Sequence, residues 1–381
     1  MRIAYVNYGK QSGVTPNVTE ELARLGHRIS PVDPTGVLAL RDPRTRRPRP
    51  TPRVLLSLAA SALKHGPQLI HHRWNTVYAF DQHSRAAGEL LDALPQPPDV
   101  VLQNGALFAP GRPARFPYVL LLDNTCRLAE RYPPVPQADI GKHIEFGDAW
   151  LQRERDAYHR AHAIATFSAL VRESLLADYG VPPERVHLVG AGANIVPPSG
   201  LRRSDDGRTL VFVGKDGWRR KGGPVLLQSF ALLRRSRPDL RLLLAGPTEP
   251  IEIPAGVTNL GMVPLDAVER LLSSATVFVL PTLREPFGIA FLDAMLCGVP
   301  CVGTRVGAVP EILGGAGICV PPADPEALAA AIEALLADPA RRAAMGEAGR
   351  RRVLECGYLW PEVGRRLSAI LESAARGRRA A

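Results

Sequence analysis

Short apolar runs rich in β-branched residues recur through the first half of the chain, at Ile3–Asn7, Arg28–Val32, Gln68–His71, Val100–Gln103, Tyr118–Leu122, Ile164–Ser168 and Val186–Gly190. Helical spacings separate most of them, as in VTEELARLGH and WLQRERDAYHRAH. The second half repeats the rhythm with TLVFVG, RLLLAG, VTNLG, TVFVLP, CVGT and GICVP, divided by stretches such as GGPVLLQSFALLRR and PLDAVERLLSSA. Strands that are apolar throughout are buried on both faces, and strands alternating with helices pair in parallel. The pattern predicts two open α/β sheets. GAGANIVPPSGLRRSDDG, crowded with Gly, Pro and polar residues, reads as a linker over residues 191–208. The expected layout is an N-terminal domain over 1–190, that linker, a C-terminal domain over 209–360, and a closing helix with a basic tail over 361–381 that returns to the first domain.

Length agrees with two domains, since 381 residues exceed what one core organises. With 46% hydrophobic and 22% charged residues the chain is of ordinary globular composition. Its longest apolar runs, such as YVLLL, are strand-sized and far short of the roughly 20 residues a membrane span needs. No export signal opens the sequence, and five cysteines without CxxC spacing suggest neither a disulfide framework nor a zinc site. A cytoplasmic protein, free or peripheral to a membrane, is expected. The net charge of +10 is concentrated in part in LRDPRTRRPRPTPRV, with Arg41, Arg44, Arg46, Arg47, Arg49 and Arg53. Its prolines argue against an amphipathic helix, and without aromatics it is poorly suited to stacking single-stranded nucleic acid. Contact with anionic lipid or a polyanionic acceptor stays open, beside a plain solvated loop.

Open parallel sheets bind ligands beyond the carboxyl ends of their strands. After the first strand, Gly9 and Gly13 flank a helix entry, either as a turn or as a cradle of free N–H groups for an anion. In VFVGKDGWRRKGGPVLLQSF, Lys215, Arg219, Arg220 and Lys221 precede a helix whose dipole they oppose by up to about 1 kcal/mol each. An anionic ligand removes that conflict, and Lys215 and Lys221 suit a diphosphate; a solvated basic loop is the alternative. In REPFGIAFLDAMLCGVP, Glu285 stands at a helix mouth and Asp293 is alone in an uncharged run from Pro286 to Thr304. Eight helical residues span about 12 Å, the reach from sugar to ribose in a folded nucleotide-sugar. The alternative is an N-cap and a partly exposed helix aspartate. Glu285→Gln is expected to leave stability almost unchanged.

GKDGWRRKGG, REPFGIAFLDAMLCGVPCVGTRVGAVPEIL and the strand–loop–helix at Gly13 resemble family 4 of the retaining glycosyltransferases, glycosyltransferase group 1. YHRAHAIATFSALVRESLLADYGVPPERVHLVGAGAN resembles that family's passage into the linker. The resemblance implies the α/β GT-B fold of two facing Rossmann-like domains. It implies a hexosyltransferase that moves a sugar, with retention, from a nucleotide-diphosphate donor (UDP- or GDP-sugar) to a hydroxyl of a small-molecule, lipid or glycan acceptor. Glu285 matches the acid that contacts the donor sugar. Asp293, one methylene shorter than the family's glutamate, matches the acid on the ribose. Lys215, in place of an arginine, and Lys221 match the diphosphate ligands. The backbone of Gly13, Phe287, Gly288 and Ile289 would meet the donor, and Asp123 and Asn124 stand on the acceptor side where many members carry a histidine. The family's account needs no protein nucleophile, cofactor or metal ion. Two other classes fit parts of the chain: a nucleotide-sugar epimerase of the same architecture, and a basic nucleic-acid-binding protein supported by charge alone. Under the favoured reading no nucleic acid is bound.

Overall fold

The computed structural model describes residues 1–8, 13–41, 45, 47–66, 69–111, 114–132, 145–195, 197, 203–215 and 217–379. Gly9, Arg44 and Arg46, considered above, lie outside them. Two compact units are present. The first takes residues up to Arg131, then Ile144–Gly190, and the chain from Val363 onward; the second takes Tyr132–His143 and Ala191–Glu362.

In the first unit β1 (Arg2–Val6), β2 (Arg28–Val32), β3 (Val100–Asn104), β4 (Tyr118–Leu122), β5 (Ala163–Thr166) and β6 (Val186–Leu188) form a parallel sheet of order β2-β1-β3-β4-β5-β6. In the second, β7 (Thr209–Val213), β8 (Arg241–Ala245), β9 (Val257–Asn259), β10 (Val277–Leu280), β11 (Cys301–Thr304) and β12 (Ile318–Val320) form a parallel sheet of order β12-β11-β10-β7-β8-β9. Both orders reverse direction once. The reversal falls between β1 and β3 in the first sheet and between β7 and β10 in the second. At such a switch point the crossovers diverge to opposite faces and leave a crevice beyond the strand ends.

The strands β3, β4 and β10 are buried over their whole length, which explains their unbroken apolar runs. Only the end of β3 breaks the rule, with Gln103 and Asn104 buried at the crevice. Beside this sheet Glu154, 2% exposed, is the acceptor at the centre of a closed polar network. It takes hydrogen bonds from Tyr158 Oη at 2.6 Å, from Cys126 N at 3.0 Å and from the Tyr179 hydroxyl. Trp150 Nε1 donates to Cys126 Sγ at 3.2 Å, so the same knot fixes the start of the helix Cys126–Arg131. Burial raises the Glu154 pKa, against the pull of these donors.

Two expectations fail here. Of the run Gln68–His71, Gln68 lies outside the described residues, and the rest belongs to a short helix, Leu69–His72, tied to its neighbour by Ser61 Oγ donating to Leu69 O at 2.7 Å. A four-residue apolar run has no periodicity by which strand and helix differ, and here the tertiary contact decides. The end of the proline–arginine stretch is helical rather than loop. Thr51 caps Val54 N at 3.3 Å, and Pro52 takes the first position of the helix Pro52–His65, where a missing N–H costs nothing.

Replacing Glu154 by leucine strands three buried donors, and the first unit should lose about 3 kcal/mol or more. Denaturant unfolding of the two proteins measures this; equal midpoints would show that the network is not holding the helices together.

Candidate functional site

The loops that follow β7 and β10 flank the switch point of the second sheet, and the chain stitches them together. Leu283 N donates to Arg220 O at 2.9 Å, and Arg220 Nη1 donates to Arg284 O at 3.0 Å. Thr282 Oγ1 donates to Arg284 O at 3.1 Å. Within this frame Lys221 Nζ and Glu285 Oε2 form a direct ion pair, with side chains only 14% and 8% exposed. Burial lowers the Lys221 pKa, and the Glu285 carboxylate opposes that shift. The backbone around Glu285 is held equally closely. Tyr132 Oη donates to Glu285 O at 3.1 Å, the Arg284 guanidinium lies 5.3 Å from the Tyr132 ring centroid, and a Cβ on Gly307 would fall 1.7 Å from Glu285 O.

Three helices that follow strand ends open on a glycine with positive φ and no side-chain cap. They are Val14–Arg24 behind Gly13 (φ 84°), Gly223–Arg234 behind Gly222 (φ 76°) and Ile289–Leu296 behind Gly288 (φ 112°). Thr51, Thr76, Ser168, Asp324 and Asp338, in contrast, cap their helices with a side-chain oxygen. An uncapped N-terminus keeps its first N–H groups for another acceptor. Gly222 has a second reason to be glycine, since a Cβ would fall 1.8 Å from Pro281 O at the end of β10.

The residues singled out by sequence are distributed as follows. Lys221, Glu285, Phe287, Gly288 and Ile289 share the mouth between the two loops, with Phe287 buried and edge-on to Tyr358 at 6.2 Å. Lys215 is exposed on the β7 loop. Gly13, Asp123 and Asn124 belong to the first unit. Asp293 is neither a surface residue nor turned to the ion pair: it is 7% exposed, and its Oδ1 accepts from Asn194 N at 2.7 Å and Ile195 N at 3.0 Å. Its pKa is pushed up to about 7 by burial, with the two N–H groups pulling the other way. The carboxylate in the apolar run thus has an occupation within the chain, anchoring the first residues of the linker.

Beyond Asn124, the reasoning from sequence missed polar atoms of the first unit near the carboxyl end of its sheet. Tyr8 follows β1, and its ring meets Trp74 at 6.0 Å, His83 at 6.2 Å and Phe108 at 6.1 Å. His83 Nδ1 donates to Ala79 O at 2.8 Å, which leaves Nε2 as the lone-pair nitrogen. Burial lowers the His83 pKa to about 4, so the ring is neutral at pH 7. His83 Nε2, Gln103 Oε1 and Asn124 Oδ1 are buried acceptors without a hydrogen-bond partner. Arg73 lies over Trp74 with its guanidinium carbon 4.5 Å from the ring centroid. A buried acceptor left open suits a ligand that brings a hydroxyl donor. Among the described residues no group of three or more His, Cys, Asp or Glu is arranged to hold a metal ion, and no helix is long and apolar enough to cross a membrane.

In comparison with known proteins, residues 207–338 match the family described as glycosyl transferases group 1. An MMP alpha-(1->4)-mannosyltransferase of Mycolicibacterium hassiacum is 31% identical over 241 residues, 59% of this chain and 57% of the relative. A GDP-mannose-dependent monoacylated alpha-(1-6)-phosphatidylinositol monomannoside mannosyltransferase of Corynebacterium glutamicum is 33% identical over 173 residues, 41% of this chain and 45% of the relative. The chain thus spans about half the length of these curated relatives. Among solved structures, a sucrose-phosphate synthase from Thermosynechococcus elongatus superposes with a TM-score of 0.70 at 21% identity, over 98% of each chain. WaaG, a glycosyltransferase involved in lipopolysaccharide biosynthesis, superposes with a TM-score of 0.67 at 16% identity, over 97% of this chain and 99% of its own. These likenesses establish the α/β fold as GT-B.

Because the Asp293 pKa stands above the ordinary carboxylate value of 3.8, the unfolded chain gives up this proton first as the pH rises. The stability attached to the residue is full below pH 3.8 and is lost as the pH climbs through about 7. An asparagine there still offers a carbonyl oxygen to both amides and carries no charge. Asp293→Asn should therefore match the parent in acid and exceed it by about 1–3 kcal/mol at pH 8. Unfolding curves at a series of pH values test this, and parallel profiles for the two proteins would show that burial is not what governs the group.

Proposed function

We propose that the chain, whose residues 207–338 match the glycosyl transferases group 1, transfers a sugar from a nucleotide-diphosphate donor to an acceptor hydroxyl, with retention at the anomeric carbon. The observation that carries this reading is the buried Lys221–Glu285 pair, set at the switch point where a strand-end crevice, a cation and an acid coincide. The diphosphate takes Lys221 as its counter-charge, with Lys215 and the open N–H groups behind Gly288 as further donors. Glu285, released from part of its pairing, accepts hydrogen bonds from the sugar's hydroxyls and stabilises the positive charge that develops at the anomeric carbon. The bond from that carbon to the phosphate oxygen breaks, and the bond to the acceptor oxygen forms on the same face. The acceptor's proton passes to the leaving phosphate oxygen. Lysine and helix N–H groups carry the phosphate charge, so the reaction is assigned no metal ion.

On this reading the ribose contact of Asp293 falls to Oδ2, because Oδ1 serves the linker. The acceptor is assigned to the first unit, with its hydroxyls on His83 Nε2, Gln103 Oε1 and Asn124 Oδ1 and its ring or chain against Trp74. GDP-mannose, named for the corynebacterial relative, leads the donors to be tried, followed by UDP-sugars.

Glu285→Gln should lower kcat by about 10²–10⁴, with affinity for the nucleoside diphosphate kept or raised, because Lys221 is left without its charged partner. It should also cost about 1–3 kcal/mol of stability, because a buried ammonium loses its charged partner, which corrects the expectation of no cost. Product formation, or slow donor hydrolysis without acceptor, reads the first effect, and near-normal turnover would reduce Glu285 to a structural role. Lys221→Ala should weaken nucleoside-diphosphate binding about tenfold or more in calorimetry. Unchanged binding would remove the diphosphate from this loop.

His83→Phe keeps an aromatic ring but deletes the open nitrogen, and should raise the acceptor KM about tenfold while leaving donor hydrolysis as it was. A variant with the parent's acceptor KM would move the acceptor away from the first sheet's switch point.

A further inference from the structure

The helix Pro52–His65 is turned inside out. Its inward positions hold Val54, Ser57 and Ser61, at 3%, 2% and 0% exposure, whereas Leu55, Leu56 and Leu63 stand at 55%, 56% and 91%. At 3.6 residues per turn, Leu55, Leu56, Ala59, Ala62 and Leu63 fall within one arc of about 120°. All five are exposed, and no polar residue interrupts the arc. Ile70, on the short helix Leu69–His72 that Ser61 ties to this one, adds a further exposed apolar side chain at 54%. Packing has put serines in the protein and leucines in the solvent, an arrangement that calls for an outside partner.

Charge identifies the partner. From Pro43 to Phe80 the chain holds seven Arg and Lys residues and not one Asp or Glu. Among the described ones, Arg47, Arg49 and Arg53 are exposed just before the helix or in its first turn. Arg53 projects beside the leucine arc, on one edge of it, by the same helical geometry. Lys64, next to it on the helix, turns its Nζ inward to the carbonyl oxygens of Asn75 (3.1 Å) and Phe146 (2.7 Å). An apolar arc beside exposed guanidinium groups is complementary to an anionic lipid interface, where leucines enter the acyl boundary and guanidinium groups meet the headgroups. A second copy of the chain would bring the same positive charge to the contact.

We propose that the outward face of the helix Pro52–His65 docks on anionic membranes, with Leu55, Leu56 and Leu63 inserting and the Arg47–Arg53 segment seated on the headgroups. The inference is independent of the glycosyl-transfer reading, because it concerns where the chain sits and not what it catalyses. Its consequence for an acceptor is plain: a lipid-borne hydroxyl would be presented at the surface to which the first unit is bound.

The test is co-sedimentation of the full chain with vesicles of phosphatidylcholine containing about one third phosphatidylglycerol, against phosphatidylcholine alone. The parent should bind the anionic vesicles and release as salt is raised, with little binding to the neutral ones. The variant L55S/L56S/L63S should lose binding at least about tenfold while melting as the parent does, since the leucines it alters are exposed. R47S/R49S/R53S should abolish the preference for anionic lipid. Failure of the parent to bind at low salt, or equal binding by the leucine variant, would overturn the proposal. So would a dimer in light scattering that the leucine variant breaks, if it came without vesicle binding. Donor hydrolysis measured without lipid keeps the two proposals separate: its absence would sink the catalytic reading and leave this one standing.

Discussion

Parallel pairing is the constraint from which the rest of this molecule follows. A parallel strand must be re-entered from the end where its neighbour began, so each connection crosses a face of the sheet as a helix. Every strand's carboxyl end, and every helix N-terminus that follows it, then gathers along one edge. In the second unit this places the loop after β7 beside the loop after β10, though 64 residues separate Lys221 from Glu285. Nothing in the local chemistry of either loop would have brought them together. The same constraint in the first unit assembles Tyr8, Gln103 and Asn124 from three different strands.

What the edge supplies is mostly backbone. Gly13, Gly222 and Gly288 occupy left-handed conformations in which side chains are strained, and each leaves a helix end without the capping oxygen found elsewhere in the chain. The conflict between the cations of the β7 loop and the helix they precede is resolved at Lys221 by Glu285 itself. The anion absent from the loop itself is supplied from within the chain, and a ligand would share the ammonium with it.

The strands were legible because burial on both faces writes itself as an unbroken apolar run, as in YVLLL at β4 and VFVL at β10. Short runs without period were not, and Leu69–His72 became a helix through a contact made by Ser61. At the site, motif resemblance brought Lys221 and Glu285 forward as ligands of a donor, but not as partners of each other. The bond from Asp293 to Asn194 and Ile195 bridges 99 and 98 residues and has no local signature, so the carboxylate was legible only as an anomaly in an apolar stretch. The open acceptors of His83 and Gln103 were illegible for a different reason: an unmet hydrogen bond is a property of surroundings, and a residue's letter carries none of them. The helix Pro52–His65 shows the limit of periodicity itself, which locates an apolar stripe but not the side of the helix that meets the protein.

A cation and an acid closed on each other make a lock with two keys. As a unit the Lys221–Glu285 pair is neutral, so it holds no standing attraction for a free phosphate ion. A phosphate that engages the ammonium alone leaves the carboxylate buried and deserted, and a free sugar that engages the carboxylate alone does the same to the ammonium. Only a molecule that carries an anion and hydroxyl donors at a fixed separation satisfies both at once. On the proposed reading, selectivity against the abundant halves of such a molecule would rest on these two side chains, without any surface that has to exclude them.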